Sequence, residues 1–288
     1  MMLTSFRFPS CPSRFVLTAF AFVCLAVSSG AVGIMVSEYK NAADNGTITN
    51  KMAADEYIEF VLTENTSAST LASLTFGSAN PATSALQGVF GFDLTTLNNV
   101  LTSSGQSQFL KGTIIVVKGG NLGAENLTYA PTVANASNHD AWSIELTAGF
   151  GARDHSETTV DGTLSVDGAG GVIWISSTVP ANATDTSGFI DAIGHDNAPG
   201  AIANAVSTKF GSGHILLANI GAPKTVYNTA DSVTALTSDI NGSMGAPNGG
   251  TNTTWVVNTL RGAVPEPSRA LLCIAGLLVA LFNRRRPA

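Results

Sequence analysis

The chain has 288 residues, of which 12% are charged and 44% hydrophobic. That length suits one large domain or two small ones, and the hydrophobic content excludes an intrinsically disordered chain. Residues 1–31 and 264–288 hold six of the 14 Lys and Arg residues and one of the 20 acidic residues; the remaining 8 basic and 19 acidic residues give residues 32–263 a net charge of −11, which excludes nucleic-acid binding.

Residues 1–31 are predicted to be a secretory signal peptide. Arg7 and Arg14 supply the positive start, residues 15–27 form the apolar stretch, and small residues follow up to a cleavage site after Ala31. The apolar stretch is too short for a membrane-spanning helix, which needs about 20 residues.

Residues 32–263 are predicted to fold as one secreted domain made mainly of short strands. Runs rich in β-branched and aromatic residues, separated by Gly- and Asn-containing turns, are typical of strands. In residues 56–62, Tyr57 and Glu59 are expected to face one way and Ile58 and Phe60 the other. The predicted strands are residues 34–39, 56–62, 112–118, 142–146, 163–166, 172–176, 189–193 and 214–218.

Helical periodicity is weak in this domain. Residues 94–101 are the best helix candidate, with shorter turns at 53–55 and 198–208. Short strands joined by turns predict an all-β, Ig-like β-sandwich with a loop-rich insertion in its first half. An N-terminal signal helix and a C-terminal hydrophobic helix are expected to flank it.

All three cysteines, Cys11, Cys24 and Cys273, lie in the two end segments. Residues 32–263 therefore have neither an internal disulfide nor a cysteine metal site. The domain must be stabilised by its buried core or by ions bound through oxygen.

Three carboxylates on or beside neighbouring predicted strands, Glu38, Glu56 and Glu59, are the main candidate site. Paired carboxylates can act in acid–base catalysis, and calcium prefers such oxygen ligands. The third interpretation is a solvated strand face on which the charges restrain edge pairing. No other metal set is predicted.

The His–Asp neighbours Asp154-His155 and His195-Asp196 do not predict a hydrolase. The Gly-x-Ser-x-Gly nucleophile elbow is absent from the sequence, so these histidines are interpreted as surface-loop residues. Asp185, Asp191, Asp196 and Asn197 are interpreted in the same way, as turn residues that bond to nearby backbone.

Residues 264–288 have three parts. Pro265, Glu266 and Pro267 come first, an apolar run at residues 270–282 follows, and Arg284, Arg285 and Arg286 close the segment. The prolines keep the motif extended, the apolar run enters the bilayer, and the arginines are expected to stay on the cytoplasmic side. The apolar run is short for a permanent span, so it predicts a transient anchor.

This arrangement resembles the PEP-CTERM sorting signal of Gram-negative bacteria. The resemblance covers about 25 residues and implies recognition by an exosortase-type transpeptidase, processing near Pro265-Glu266-Pro267, and a transient hold on the inner membrane. It also implies export to the cell surface or extracellular matrix of an organism that makes exopolysaccharide.

A second resemblance concerns the domain itself. Residues 34–39 followed by residues 56–60 look like the opening strands of lamin-tail-type domains, which are Ig-like sandwiches, and residues 243–248 resemble their Gly-x-Pro-Asn close. Residues 80–210 depart from that pattern.

The leading functional hypothesis is a non-enzymatic surface or matrix protein with a structural or adhesive role. One alternative is a secreted hydrolase that uses Glu38, Glu56 or Glu59. Another is a calcium-dependent carbohydrate-binding module in which Trp142, Trp174 or Trp255 stacks on sugars, although tryptophans in strand runs are usually core residues.

Overall fold

Two six-stranded mixed sheets, packed together like a sandwich, form the body of the chain in a computed structural model. The structure describes residues 33–41, 48–49, 52–53, 55–80, 85–148, 152–154, 164, 170–196, 200–218, 220–221, 224–228, 236–239 and 242–262. The predicted signal peptide and the predicted sorting tail, with Pro265, Glu266, Pro267, Arg284, Arg285 and Arg286, lie outside the described residues.

Fourteen strands are described. In chain order they are β1 Ile34–Asn41, β2 Ile48–Thr49, β3 Met52–Ala53, β4 Tyr57–Leu62, β5 Thr75–Asn80, β6 Ala85–Phe92, β7 Ile114–Lys118, β8 Ser143–Thr147, β9 Ala152–Asp154, β10 Gly170–Ser176, β11 Phe189–Asp196, β12 Ile215–Leu216, β13 Lys224–Asn228 and β14 Leu236–Asp239. The first sheet has the order β14-β13-β1-β4-β7-β8 and the second β12-β11-β10-β5-β6-β9, while β2 and β3 pair with each other.

The helices are few and short. They are α1 Ala68–Ala72, α2 Leu94–Ser104, α3 Ala201–Phe210 and α4 Gly250–Thr254, which runs on as a π-helix over Trp255–Arg261. The helix predicted from residue 94 is confirmed: Asp93 caps it by accepting from Thr96 N at 2.8 Å, and Gly105 ends it in the left-handed region. The turn predicted at residues 53–55 is confirmed only at Asp55, because Ala53 belongs to β3.

The fold is mainly β, as predicted, but each sheet contains one parallel pair. β7 pairs with β8, and β11 pairs with β12. A parallel pair needs a crossover of about a dozen residues or more. The first crossover is residues 119–142, which hold three short 3₁₀ helices and form the loop-rich part of the first half. The second contains α3.

The main core lies between the two sheets. Phe60 from β4 meets Phe76 and Phe92 from the second sheet, with ring centroids 5.3 and 5.9 Å apart. These rings and the Ile and Val side chains of β7 and β10 are fully buried. A second cluster lies on the other face of the second sheet, where Trp174 stacks on Phe189 beneath α3.

In β4, Glu59 and Phe60 face opposite ways, as predicted. All six of its residues are buried, because β4 is a central strand whose two faces are both covered. Phe60 faces the second sheet, while Glu59 and Val61 face outward beneath residues 242–262. We call residues 242–262 the strap.

The strap is a loop followed by α4 and the π-helix. Arg261, near its end, is fully buried, and its guanidinium donates to the carbonyls of Gly112 and Ala136 at 2.9 and 2.8 Å and lies over the ring of Trp142. In the described part of the chain no helix is long and apolar enough to cross a membrane.

Candidate functional site

Three glutamates form a row on the outer face of the first sheet. Glu38 on β1 stands opposite Glu59 on β4; Glu59 stands opposite Val116 on β7, and Val116 opposite Glu145 on β8. Residues that are directly opposed on neighbouring strands share one face of a sheet. The prediction that Glu38 and Glu59 lie on adjacent strands is therefore confirmed, and Glu145 joins them.

A β-bulge in β1 places Glu38 in this row. The pairing passes from Val36 opposite Phe60 to Glu38 opposite Glu59, so Ser37 is the extra residue. The backbone of Val36 is bonded by side chains: its N–H donates to Asp191 Oδ2 at 2.8 Å, and its carbonyl accepts from Asn228 Nδ2 at 3.0 Å.

The strap closes over the two opposed carboxyl groups. Glu38 accepts hydrogen bonds from the backbone N–H and the hydroxyl of Ser243, both at 3.1 Å, and from the hydroxyl of Tyr57. Glu59 accepts from Gly245 N at 2.9 Å and from Ser37 Oγ at 2.7 Å. Each carboxyl group therefore binds one backbone N–H of the strap.

Burial changes the acidity of this pair. Glu38 and Glu59 are at most 1% exposed. Burial raises the pKa of Glu38, and burial together with the charge of Glu38 raises the pKa of Glu59 well above its usual range. The same two causes raise the pKa of Tyr57. Like charges this close favour a state in which the pair keeps a proton.

Gly242 allows the strap to approach the sheet this closely. Its φ is +52°, in the left-handed region, and a Cβ atom there would lie 2.2 Å from Tyr57 Oη and 2.6 Å from Glu38 Oε1. Any other residue at this position would be strained and would push the strap away from Glu38.

Lys118 provides the positive charge of this face. Its ammonium group forms an ion pair with Glu145, and Lys118 is only 2% exposed. Beside the row, Glu59, Asn228, Asn248, Asn252 and Trp255 line a small pocket of about 250 Å³, counting the part open to solvent.

Glu56 is separate from the row. It precedes β4, is 3% exposed, and its carbonyl accepts from Gly119 N. The interpretation of Glu38, Glu56 and Glu59 as a solvated strand face is wrong, since all three are buried. Among the described residues no group of three or more His, Cys, Asp or Glu side chains is placed to hold a metal ion, so the calcium hypothesis gains no geometric support.

The histidine prediction is wrong for His195, which is a fully buried residue of β11. Its Nδ1 lies 2.6 Å from Tyr39 Oη. Asp191, four residues earlier, is also buried rather than in a turn, and burial raises its pKa to about 6. His214 Nδ1 lies 3.5 Å from Asp191. His155 lies outside the described residues.

Asp185 does act as a turn residue, accepting from Ala181 N and Ser187 N. Trp142 and Trp174 are fully buried core residues, so neither presents a ring to a sugar. Trp255 is half-buried beside the pocket. Sequence reasoning missed Glu145, Tyr57 and Ser243 as partners of the row.

Comparisons of the chain with protein-family models, curated proteins and solved structures found no match in any of the three.

Proposed function

We propose that this chain is an exported protein, sorted by an exosortase-type transpeptidase to the cell surface or extracellular matrix of a Gram-negative-type bacterium. The observation that carries the proposal is the succession of Pro265-Glu266-Pro267, an apolar run at residues 270–282 and Arg284, Arg285 and Arg286. The chain crosses the inner membrane, is held there transiently by the tail, and then acts outside the cell.

The proposed role of the body is structural or adhesive, in contact with exopolysaccharide, and not catalytic. The main polar cluster supports this role. Glu38 and Glu59 are bonded by Ser243, Gly245 and neighbouring side chains, so the groups best suited to acid–base chemistry are used to hold the strap. A net charge of −11 in residues 32–263 argues against nucleic acid as a partner.

For the fold, we propose an Ig-like, lamin-tail-like sandwich. The segments that carry that resemblance are in contact. β1 pairs with β4, and in residues 243–248 the backbone N–H of Ser243 donates to Glu38 on β1 and that of Gly245 donates to Glu59 on β4. The two parallel pairs are departures from such a domain, whose sheets are antiparallel. An experimental structure with a matching strand order would support the assignment.

The sorting proposal is tested with the full-length chain in cells that carry an exosortase-type enzyme. Wild-type chain should lose the tail and reach the extracellular fraction, whereas a Glu266→Ala variant, or wild type in cells lacking the enzyme, should stay in the membrane fraction uncleaved. Glu64→Ala, an exposed change in the body, is the control. Release that does not depend on the enzyme would overturn the proposal.

A secreted hydrolase is the second candidate, because Glu38 and Glu59 are directly opposed carboxyl groups with raised pKa values. Turnover of a polysaccharide by purified protein, abolished by Glu59→Gln, would favour the hydrolase over the structural role. Turnover that persists in that variant would point to a contaminant.

Calcium-dependent carbohydrate binding is the remaining alternative. A titration with millimolar calcium, followed by melting temperature and repeated with Glu38→Gln, tests it. A rise in melting temperature that the variant lacks would place calcium at Glu38, and an unchanged melting temperature would count against this alternative.

A further inference from the structure

The strap differs in charge from the rest of the domain. Its one charged residue, Arg261, is buried, and residues 242–260 contain no Asp, Glu, Lys or Arg, whereas residues 32–263 carry a net charge of −11. The side chains that the strap helix exposes to solvent are hydroxyl and amide groups, from Thr251, Thr254, Asn258 and Thr259. The strap therefore presents a neutral polar face on a strongly acidic protein.

The strap is also fixed to the body at three points. Ser243 and Gly245 bond to the two buried glutamates, Asn252 donates to the carbonyl of Asn228, and Arg261 is buried against Gly112 and Trp142. A helix held in this way cannot drift from the sheet without breaking the hydrogen bonds of Arg261 and leaving the carbonyls of Gly112 and Ala136 without this donor.

The length of chain after the strap limits how far the sorting motif can reach. Pro265 is three residues beyond Gly262 and Pro267 five. Even a fully extended chain places them no more than about 10 and 18 Å from Gly262. An enzyme that holds this motif in its active site must therefore lie next to the folded body at the strap.

We infer that the neutral face of the strap, Thr251, Thr254, Asn258 and Thr259, is the surface on which the membrane-bound processing enzyme docks. This inference rests on the proposed sorting function. Carboxylates on that face would have to be desolvated against the enzyme, whereas neutral hydroxyl and amide groups cost less to bury.

The test adds a negative charge to this face. In cells that carry the enzyme, Thr259→Glu should slow loss of the tail at least fivefold in a pulse-chase measurement. Thr102→Glu is the matched control, since Thr102 is an exposed threonine two residues before the end of α2, as Thr259 is two residues before the end of the π-helix. The control should be processed like wild type.

A variant with a linker shows whether Thr259→Glu slows processing by weakening docking or by misfolding the protein. Eight Gly and Ser residues inserted after Gly262 should restore rapid processing to Thr259→Glu, because the enzyme would no longer need to touch the strap. Equal rates for Thr259→Glu and Thr102→Glu would overturn the inference, and so would slow processing that the linker leaves unchanged.

Two further measurements test whether the face binds the bilayer instead of the enzyme, and whether the tail is processed at all. Flotation of the full-length chain with anionic vesicles that lack the enzyme should give the same bound fraction for Thr259→Glu and wild type; a loss of binding would assign the face to the bilayer and overturn enzyme docking. Residues 263–288, fused through the same eight-residue linker to an unrelated folded protein, should be processed. If neither that fusion nor wild type is processed, the sorting proposal itself has failed.

Discussion

Glu38 and Glu59 face each other across the β1–β4 pair, and each accepts a hydrogen bond from a backbone N–H of the strap. The carboxyl pair thus joins the sheet to the segment that precedes the sorting tail. The strap excludes solvent from the two carboxyl groups and so contributes to their raised pKa values. The carboxyl groups in turn hold the strap in place by accepting its hydrogen bonds.

The Glu38–Glu59 pair should make the protein less stable as the pH rises. The pKa values of both groups in the folded state lie above their ordinary value of 4.5. Above about pH 4.5 the folded protein therefore binds more protons than the unfolded chain, so the free energy of unfolding falls with rising pH. One proton held in this way contributes a slope of about 1.4 kcal/mol per pH unit.

Glu59→Gln should reduce that slope. The amide can keep its oxygen toward Gly245 N and its NH₂ toward Ser37 Oγ, which can accept as well as donate. Urea unfolding between pH 4.5 and 8.5 measures the slope, and Glu64→Gln, an exposed change, should leave it as in wild type. Parallel curves for wild type and Glu59→Gln would show that the pair does not hold a proton.

Gly242→Ala should destabilise the fold more than Gly105→Ala. Both glycines have positive φ, +52° and +69°, so both variants bear a backbone cost of about 1–2 kcal/mol. A Cβ atom at residue 242 would also clash with Tyr57 and Glu38, whereas nothing lies within 4 Å at residue 105. The clash should add about 1–3 kcal/mol, measured as the difference between the two variants in urea. Equal losses would mean that the strap does not lie this close to the sheet.

The strands that sequence predicted well are those whose own residues favour a strand. β4, β7 and β10 are runs of Ile, Val, Phe and Trp, and their positions follow from local preference. β5 and β6 were missed because they are rich in Gly, Ala and Ser. Gly77 in β5 is needed for packing: a Cβ atom there would lie 2.5 Å from the ring of Trp174, a contact that only the folded chain reveals.

The candidate site was predictable only in part. Sequence placed Glu38 and Glu59 on adjacent strands, but the bulge at Ser37 decides that they share a face. Glu145 joins the same row because β8 pairs in parallel with β7 after a long crossover. No local sequence pattern predicts that pairing. Their burial depends on the strap, about 200 residues later in the chain than Glu38.

Asp191 should produce a separate pH effect in a defined window. Burial raises its pKa from 3.8 to about 6, so its contribution to stability is present below pH 3.8 and lost as the pH rises to 6. Asp191→Asn can still accept from Val36 N and does not titrate. Its stability relative to wild type should therefore rise across this window by up to about 3 kcal/mol.

Unfolding in urea at pH 4, 5, 6 and 7 measures this difference. Asp55→Asn, an exposed change in the turn before β4, should show no such trend. Asp191→Ala should instead be less stable at every pH, by about 1–3 kcal/mol, because the buried N–H of Val36 would lose its acceptor. A difference between Asp191→Asn and wild type that stays constant with pH would contradict the assigned acidity.

Arg261→Met should loosen the strap. The guanidinium is buried with two backbone carbonyls, His139 Nδ1 at 3.2 Å and the ring of Trp142 as partners. Burial lowers its pKa to about 10, so it stays charged at neutral pH, while burial and this charge lower the pKa of His139 and favour the neutral ring that can accept. Methionine fills similar space but leaves the carbonyls of Gly112 and Ala136 without a donor, at a cost of about 2–4 kcal/mol.

Hydrogen exchange shows which part of the protein Arg261→Met destabilises. In Arg261→Met, amide protection should drop first in residues 250–262 while β4 and β7 stay protected, since those strands belong to the core and the strap lies over them. Arg261→Lys should be intermediate, because an ammonium can bond one carbonyl but cannot lie flat on Trp142. Thr259→Ala, an exposed change in the same helix, is the control. If Arg261→Met matched it in both stability and exchange, the strap would have to be held by Glu38, Glu59 and the Asn252–Asn228 hydrogen bond without Arg261.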